Sequence, residues 1–184
     1  MELVDVLNNR NEYTGSIKDR KELLEGEFRN LVHIWIINSN GEFLLQKRSG
    51  LKKHFPNKWS VTSGCTLSKE SLIQTCKREC KEELNVDVDI NNLEYEMTFK
   101  KDPVIVQVFV LRQEVDLNKV VLQEEEVSDI KYMSRDEIIK LINSDEAAGS
   151  IKYFEFLEKI IDKKVEWKRK RSVRIDFKRK NGIW

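Results

Sequence analysis

The sequence predicts one α+β domain built on a mixed β-sheet, and three observations carry that expectation. Two short apolar runs, residues 31–37 and 104–111, are rich in β-branched and aromatic residues, as buried strands are. A long helical period occupies residues 68–84. Strand and helix patterns follow one another without a regular βαβ alternation. At 184 residues the chain suits one domain with an appendage. A chain of this size buries roughly 70% of its unfolded surface, so it needs no disulfides or metal staples to form a core.

The first 30 residues are polar and turn-rich, with weak structure signals. Residues 31–37 read as a buried strand. Asn38-Ser39-Asn40-Gly41 is a hairpin-type turn. Residues 42–48 form the next strand, with Phe43 and Leu45 on one face and Leu44 on the other. A basic loop over 49–59 contains Lys52, Lys53, His54, Pro56 and Lys58. The helix over 68–84 takes Ser68 as its N-cap and Glu70 in its first turn, and stops at Asn85. Residues 93–99 and 104–111 are two strands, and 129–133 a short third. Ser134 and Glu137 form a capping box that opens a helix through Ile142. A second amphipathic helix over 150–164 carries Tyr153, Phe154, Leu157, Ile160 and Ile161 as its apolar set.

Composition excludes several classes. Hydrophobic residues are 40% and charged residues 35% of the chain, which is neither a membrane protein nor a disordered one. With 2 prolines and 7 glycines it is not a low-complexity chain. The net charge of +1 says nothing about partners, but its distribution does. Residues 162–184 carry ten Lys/Arg against three Asp/Glu, a net of +7, while the other residues carry 23 against 29, a net of −6. Met1-Glu2-Leu3-Val4-Asp5 has neither a basic n-region nor a long apolar segment, which predicts a cytoplasmic protein with no membrane association. Cys65, Cys76 and Cys80 give no disulfide framework and read as reduced, buried thiols rather than zinc ligands.

The helix over 68–84 carries the chemical signal. Ile73, Cys76, Cys80 and Leu84 line one stripe, the face expected to pack on the core. Glu79, Glu82 and Glu83 fall within an arc of roughly 100° beside it. Glu79 with Glu83, and Glu79 with Glu82, are like-charge pairs at i,i+4 and i,i+3, each destabilising by a few tenths of a kcal/mol. Three carboxylates converging beside a buried face are what a hard divalent cation such as Mg2+ needs. Without a cation, mutual repulsion would raise the pKa of one glutamate and suit it to act as a base. On spacing alone, a solvated acidic face and a metal site both stay open.

The wider pattern is more specific. Gly64 is followed after five residues by Glu70, and after seven more by Arg78-Glu79-Cys80-Lys81-Glu82-Glu83-Leu84-Asn85-Val86. This closely resembles the Nudix box, Gly-x5-Glu-x7-Arg-Glu-U-x-Glu-Glu-x-Gly-U, in which U is aliphatic. Gly64, Glu70, Arg78, Glu79, Glu82, Glu83 and Val86 match in register. Cys80 stands where an aliphatic residue is usual and packs as a small hydrophobe. Asn85 stands where glycine is usual, and Asn is the next-best residue at a left-handed helix end. His33-Ile34-Trp35-Ile36-Ile37, Phe43-Leu44-Leu45-Gln46-Lys47-Arg48, Phe55-Pro56-Asn57-Lys58-Trp59 and Gln123-Glu124-Glu125-Glu126-Val127 extend the resemblance to the isopentenyl-diphosphate-isomerase-like Nudix subgroup.

The resemblance implies a Nudix domain over 1–165, with its box at 64–86, and a basic C-terminal tail over 166–184. It implies an α/β/α sandwich with a mixed β-sheet. It further implies a MutT-like hydrolase that cleaves a diphosphate bond in a nucleoside diphosphate derivative by metal-activated water, using Mg2+ or in its place Mn2+. Metal ligands by resemblance are Glu79, Glu82, Glu83 and the backbone carbonyl of Gly64. Arg78 would orient the glutamates through an i,i+4 ion pair with Glu82, and Glu70 would be a structural or outer partner. A later loop often adds an acidic group; Glu124, Glu125 and Glu126 are the candidates and Glu125 is the choice. Lys47, Arg48, Lys52 and Lys53 would offset diphosphate charge. His54 reads as a loop residue, and Trp35 and Trp59 as core. The partner is a small-molecule diphosphate, and homodimers are common in the family.

Two rival readings remain. Isopentenyl-diphosphate isomerases resemble this chain over the same region, but they use a cysteine immediately before the box glycine position. Here Ser63 stands there and Cys65 lies just after Gly64, and all four box glutamates are kept. The second rival is RNA binding by the basic tail, where Lys and Arg interleave with Val173, Ile175 and Phe177.

Overall fold

The structure, a computed structural model, describes residues 2–162. It opens with a hairpin that the sequence did not signal. Strand β1 (Leu3–Leu7) pairs antiparallel with β2 (Tyr13–Asp19). Val4 and Val6 of β1 are buried, but Tyr13 through Ile17 of β2 are all exposed, so β2 has no apolar alternation to read. Leu7 and Phe28 exchange backbone hydrogen bonds of 2.8 and 2.9 Å, which ties the hairpin to the start of the next strand.

The main sheet is mixed, as expected of this α+β fold. Its strands are β3 (Arg29–Ile37), β4 (Phe43–Arg48), β5 (Trp59–Ser60), β6 (Thr62–Cys65), β7 (Leu93–Lys101), β8 (Val104–Arg112) and β9 (Val127–Met133). The order along the sheet is β5-β4-β3-β8-β7, with β6 paired to β3 and β9 to β4. Only β3 and β8 run parallel, over nine residues from Arg29–Val104 to Ile37–Arg112; the other pairs are antiparallel.

Helix α1 (Leu72–Leu84) lies on one face of this sheet. Alternation along the strands turns Val32, Ile34 and Ile36 of β3, Phe109 and Leu111 of β8, and Leu44 of β4 towards it. Cys76, Cys80 and Leu84 of α1 close the core from the other side. Residues opposite each other in an antiparallel pair share a face, so the pairings Val32–Gly64 and Ile34–Thr62 bring Gly64 and Thr62 to the α1 side.

Several boundaries differ from the sequence reading. The helix begins at Leu72, and its N-cap is Ser71, not Ser68. Ser71 makes a full capping box with Gln74, whereas the Ser68 hydroxyl is bonded to Asp5 and Lys69 sits at φ 67°, outside helical geometry. Glu70 therefore precedes the helix. Ile73 is half exposed, and Leu72 packs on the core in its place. Strand β5 starts at the last residue of the expected 49–59 loop, and β5 and β6 are each too short to leave a periodic signal. Strand β9 starts two residues early, at Val127. Helix α2 (Arg135–Ile142) opens with the Ser134–Glu137 capping box, as expected. Where a helix over 150–164 was expected, a 3₁₀ turn at Gly149–Ile151 precedes helix α3, which is described over 154–162; residues 163 and 164 lie outside the described residues.

Residues 1–152 form one compact unit, and α3 belongs to a second that starts at Tyr153. The basic tail over 166–184 lies outside the described residues. Trp35 is fully buried, as expected of a core residue, and Trp59 is half buried at the start of β5. All three cysteines are free and buried. Among the described residues no helix is long and apolar enough to cross a membrane.

Asn85 ends α1 at φ 55°, in the left-handed region. Its N–H donates to the Lys81 carbonyl at 3.0 Å, as in the αL type of helix end, and the Val86 N–H reaches the Cys80 carbonyl at 3.0 Å. Asn85→Gly should therefore match or exceed the wild type in urea-denaturation stability, by up to about 1 kcal/mol. Asn85→Val should lose about 1–2 kcal/mol, because a β-branched side chain is strained there.

Candidate active site

The site is built where α1 meets β6, β4 and the loop before β9. Helical spacing sends Glu79 and Glu83 to the sheet side of α1, where both are buried, and leaves the Glu82 side chain half exposed. Glu79 packs directly on Gly64. A Cβ at residue 64 would lie 1.7 Å from Glu79 Oε1 and 1.8 Å from its Cδ, so only glycine leaves room for this carboxylate.

Glu83 is held by the sheet. The Gln46 side-chain amide donates from Nε2 to Glu83 Oε2 at 2.7 Å, and Thr62 Oγ1 donates to Gln46 Oε1 at 3.1 Å. All three residues are buried. The sequence reading assigned no role to Gln46 or Thr62. The available signal was a polar residue two positions after Leu44, on a face otherwise apolar.

Arg78 joins the carboxylates. Its Nε donates to Glu70 Oε1 at 2.9 Å, and its Nη2 to Glu70 Oε2 at 3.0 Å and the Cys65 carbonyl at 2.9 Å. Its Nη1 donates to Glu79 Oε1 at 2.6 Å and to Glu82 Oε2 at 3.1 Å. The i,i+4 pair with Glu82 is present, but the shorter bond goes to Glu79 and the bidentate one to Glu70.

The electrostatics follow from burial and crowding. Burial raises the Glu79 carboxyl, Arg78 opposes it, and Glu82 and Glu70 add repulsion; the net pKa is pushed up to about 7. Burial also dominates at Glu83, with repulsion from Glu79 and Glu126 outweighing the Gln46 bond and the Arg48 charge, and its pKa rises to about 8. At Glu70 burial pushes upward, but bonds from Arg78, the Leu67 N–H and Thr75 prevail, and the carboxyl is lowered. Burial pulls Arg78 down while Glu70 and Glu79 push it up, with a net rise that keeps it charged.

Of the other residues singled out in the sequence, Arg48 and Lys52 reach this end of the helix. The Arg48 charge acts on Glu83, and its Nε donates to the His54 carbonyl at 2.9 Å. Lys52 is paired with Glu126. Lys47 is half buried on β4 opposite Asp129 and Trp59, with no contact to the glutamates among those described. Glu125 is exposed in the turn before β9, whereas its neighbour Glu126 is half buried and acts on Glu83. His54 lies in the exposed loop, as expected.

Among the described residues, no group of three or more His, Cys, Asp or Glu side chains is drawn together closely enough to hold a metal ion. The donors fit a hard divalent cation in kind. They are carboxylates, two of them raised in pKa by burial first and by mutual repulsion second, and added positive charge beside them would favour their ionised forms.

The chain is similar to known proteins over most of its length. The NUDIX domain model matches residues 27–154. An uncharacterized Nudix hydrolase of Listeria innocua is 32% identical over 166 residues, which is 89% of this chain and 96% of the relative. A crystal structure from Deinococcus radiodurans superposes with a TM-score of 0.71 at 22% identity, covering 86% of this chain and 99% of that one. The NUDIX domain of Shewanella oneidensis NrtR, solved with ADP ribose, gives a TM-score of 0.56 at 18% identity, over 75% and 90% of the two chains. These two structures match in fold.

The raised carboxyls set a pH dependence. The folded protein holds protons at Glu79 and Glu83 up to about pH 7 and 8, whereas the unfolded chain releases them near 4.5. The folded state therefore binds more protons across this window, and stability falls as pH rises through it. In EDTA the thermal midpoint should decline between about pH 5 and 8.5. Glu83→Gln should flatten that decline and exceed the wild type at the alkaline end. A wild-type midpoint that is level across the window would show that these carboxylates ionise without cost.

Proposed function

Since the chain belongs to the NUDIX domain family and is thereby a hydrolase of diphosphate bonds, we propose that it cleaves a nucleoside diphosphate derivative using Mg2+, with Mn2+ as a substitute. The observation that carries the metal dependence is the pair of buried carboxylates, Glu79 and Glu83, with Glu79 pressed against Gly64 where no side chain fits. Two buried acids of like charge are unfavourable on their own and become favourable beside a cation.

In this reading Glu79, Glu82, Glu83 and the Gly64 carbonyl would hold the ion. A bound divalent ion polarises phosphoryl oxygens and acidifies water. Arg78 fixes the directions of Glu79 and Glu82 through its two Nη1 bonds. Glu82, the most accessible of the three, accepts the proton of the attacking water at a carboxylate oxygen. Arg48 and Lys52 face the diphosphate, with Lys47 as a further cation. Glu125 is the later-loop acid of this proposal, and Glu126 shares that loop nearer to Glu83. The ADP ribose bound by the Shewanella domain supports a nucleoside diphosphate by analogy of fold alone.

The test is product release from a panel of nucleoside triphosphates, ADP ribose, dinucleoside polyphosphates and isopentenyl diphosphate, with Mg2+ and with EDTA. Turnover should require the metal, and Glu82→Gln should lower kcat by about 100-fold or more at a near-wild-type thermal midpoint. Turnover that survives EDTA, or an unimpaired Glu82→Gln, would overturn the mechanism. Conversion of isopentenyl diphosphate alone, without phosphate release, would establish the isomerase instead.

A further inference from the structure

The loop between β6 and α1 is held from outside the region matched by the domain model. Asp5, in the middle of β1, is the holding residue. Its Oδ1 accepts the Ser68 hydroxyl at 2.7 Å and its Oδ2 the Lys69 N–H at 3.3 Å. Two residues earlier on the same strand, the Leu3 carbonyl accepts the Ser68 N–H at 2.8 Å. The match to the NUDIX domain begins only at residue 27.

This hold falls on a strained residue. Lys69 lies at φ 67°, a conformation that L residues other than Asn and Asp seldom adopt. Such a backbone persists only where its surroundings over-determine it. Here the Glu70 N–H closes the turn on the Leu67 carbonyl at 3.0 Å and the Lys69 N–H donates to Asp5, and the residue so held is followed directly by Glu70.

From Glu70 the bonds run without a break to the site. Glu70 Oε2 accepts the Leu67 N–H at 3.1 Å and the Thr75 hydroxyl at 3.0 Å, so loop and helix agree on its position. Both Glu70 oxygens accept from Arg78, and Arg78 donates onward to Glu79 and Glu82. We propose that Asp5 is a positioning residue, which sets the Arg78 guanidinium and through it the Glu79 and Glu82 carboxylates by fixing the turn at Lys69. The N-terminal hairpin then supports the carboxylate network from outside it. Coupling of this kind is reciprocal: what Asp5 adds to order at Arg78, a ligand at the glutamates returns to the hairpin.

The inference rests on the metal-dependent reading for one of its two readouts only. The first is a Mg2+ titration of turnover in the full chain. Asp5→Ala should raise the half-saturating Mg2+ concentration about fivefold, a milder effect than removal of a group bonded directly to a ligand. At saturating Mg2+ its kcat should stay near that of wild type. Asp5→Asn, which keeps an acceptor for Ser68 but not a second carboxylate oxygen for Lys69, should fall between. In a Glu70→Gln background the Asp5→Ala effect should vanish, because the route to Arg78 is already cut.

The second readout is solvent exchange of the Arg78 Nε–H, followed by NMR on 15N-labelled protein without metal. It should be protected in the wild type and exchange faster in Asp5→Ala. If Asp5→Ala only lowers the thermal midpoint, with Mg2+ titration and Arg78 exchange unchanged, Asp5 is a staple of the hairpin and the proposal fails. If the wild type shows no metal-dependent turnover, the functional reading fails, and the Arg78 exchange still decides this proposal.

Discussion

The structure turns on the burial of two carboxylates between one helix and one sheet. Glu79 and Glu83 lie on the same side of α1 as Cys76, Cys80 and Leu84, the residues that hold the helix to the core. Removing a carboxylate from water costs several kcal/mol unless it is paired or protonated. The two residues meet that cost differently. Glu79 takes a guanidinium bond and sits in space that Gly64 alone leaves open. Glu83 takes an amide bond from Gln46, and both carboxyls are raised in pKa. Both solutions come from the sheet register, because the pairings that fix β6 on β3 also deliver Gly64 and Thr62 to the α1 side.

Arg78 is the second consequence of that burial. A single guanidinium donates to Glu70, Glu79, Glu82 and the Cys65 carbonyl, which links the loop, the helix and β6 in one network. Fully satisfied networks of this kind rigidify, because each donor and acceptor constrains the next. The planar fork of arginine suits it to bridge two carboxylates while bonding a third in bidentate fashion, which lysine has no geometry to do. The carboxylates therefore have fixed directions as well as close spacing.

How much of this was legible in the sequence depended on whether the signal was local. The spacing of Glu79, Glu82 and Glu83 along a helix is local, and so are the Asn85 stop and the Ser134 capping box; each appears where the sequence put it. The helix start is also local, yet the cap is Ser71, while the expected Ser68 is bonded to Asp5, more than sixty residues away. The hairpin was invisible because β2 has almost no apolar residues, and its place is fixed by Leu7 pairing with Phe28. Gln46 and Thr62 matter only once β3, β4 and β6 are in register. Glu125 and Glu126 differ by one step along a turn, and sequence has no means of saying which side chain turns towards Glu83.

The same register bears on which chemistry the site supports. Alternation along β6 puts Cys65, opposite Leu31, on the sheet face away from Gly64 and the α1 glutamates. Burial raises the Cys65 thiol against the opposing pull of Arg29, and its Sγ donates weakly to the Asn30 carbonyl at 3.5 Å. A thiol that is buried, raised in pKa and turned from the carboxylates lacks the thiolate character of a reacting cysteine. The groups that share one face are Glu79, Glu83, Gln46 and Thr62, with the Glu79 carboxylate against Gly64. These groups supply buried carboxylate oxygens without the Cys65 thiol, which sets them apart from a site built for proton transfer from sulfur.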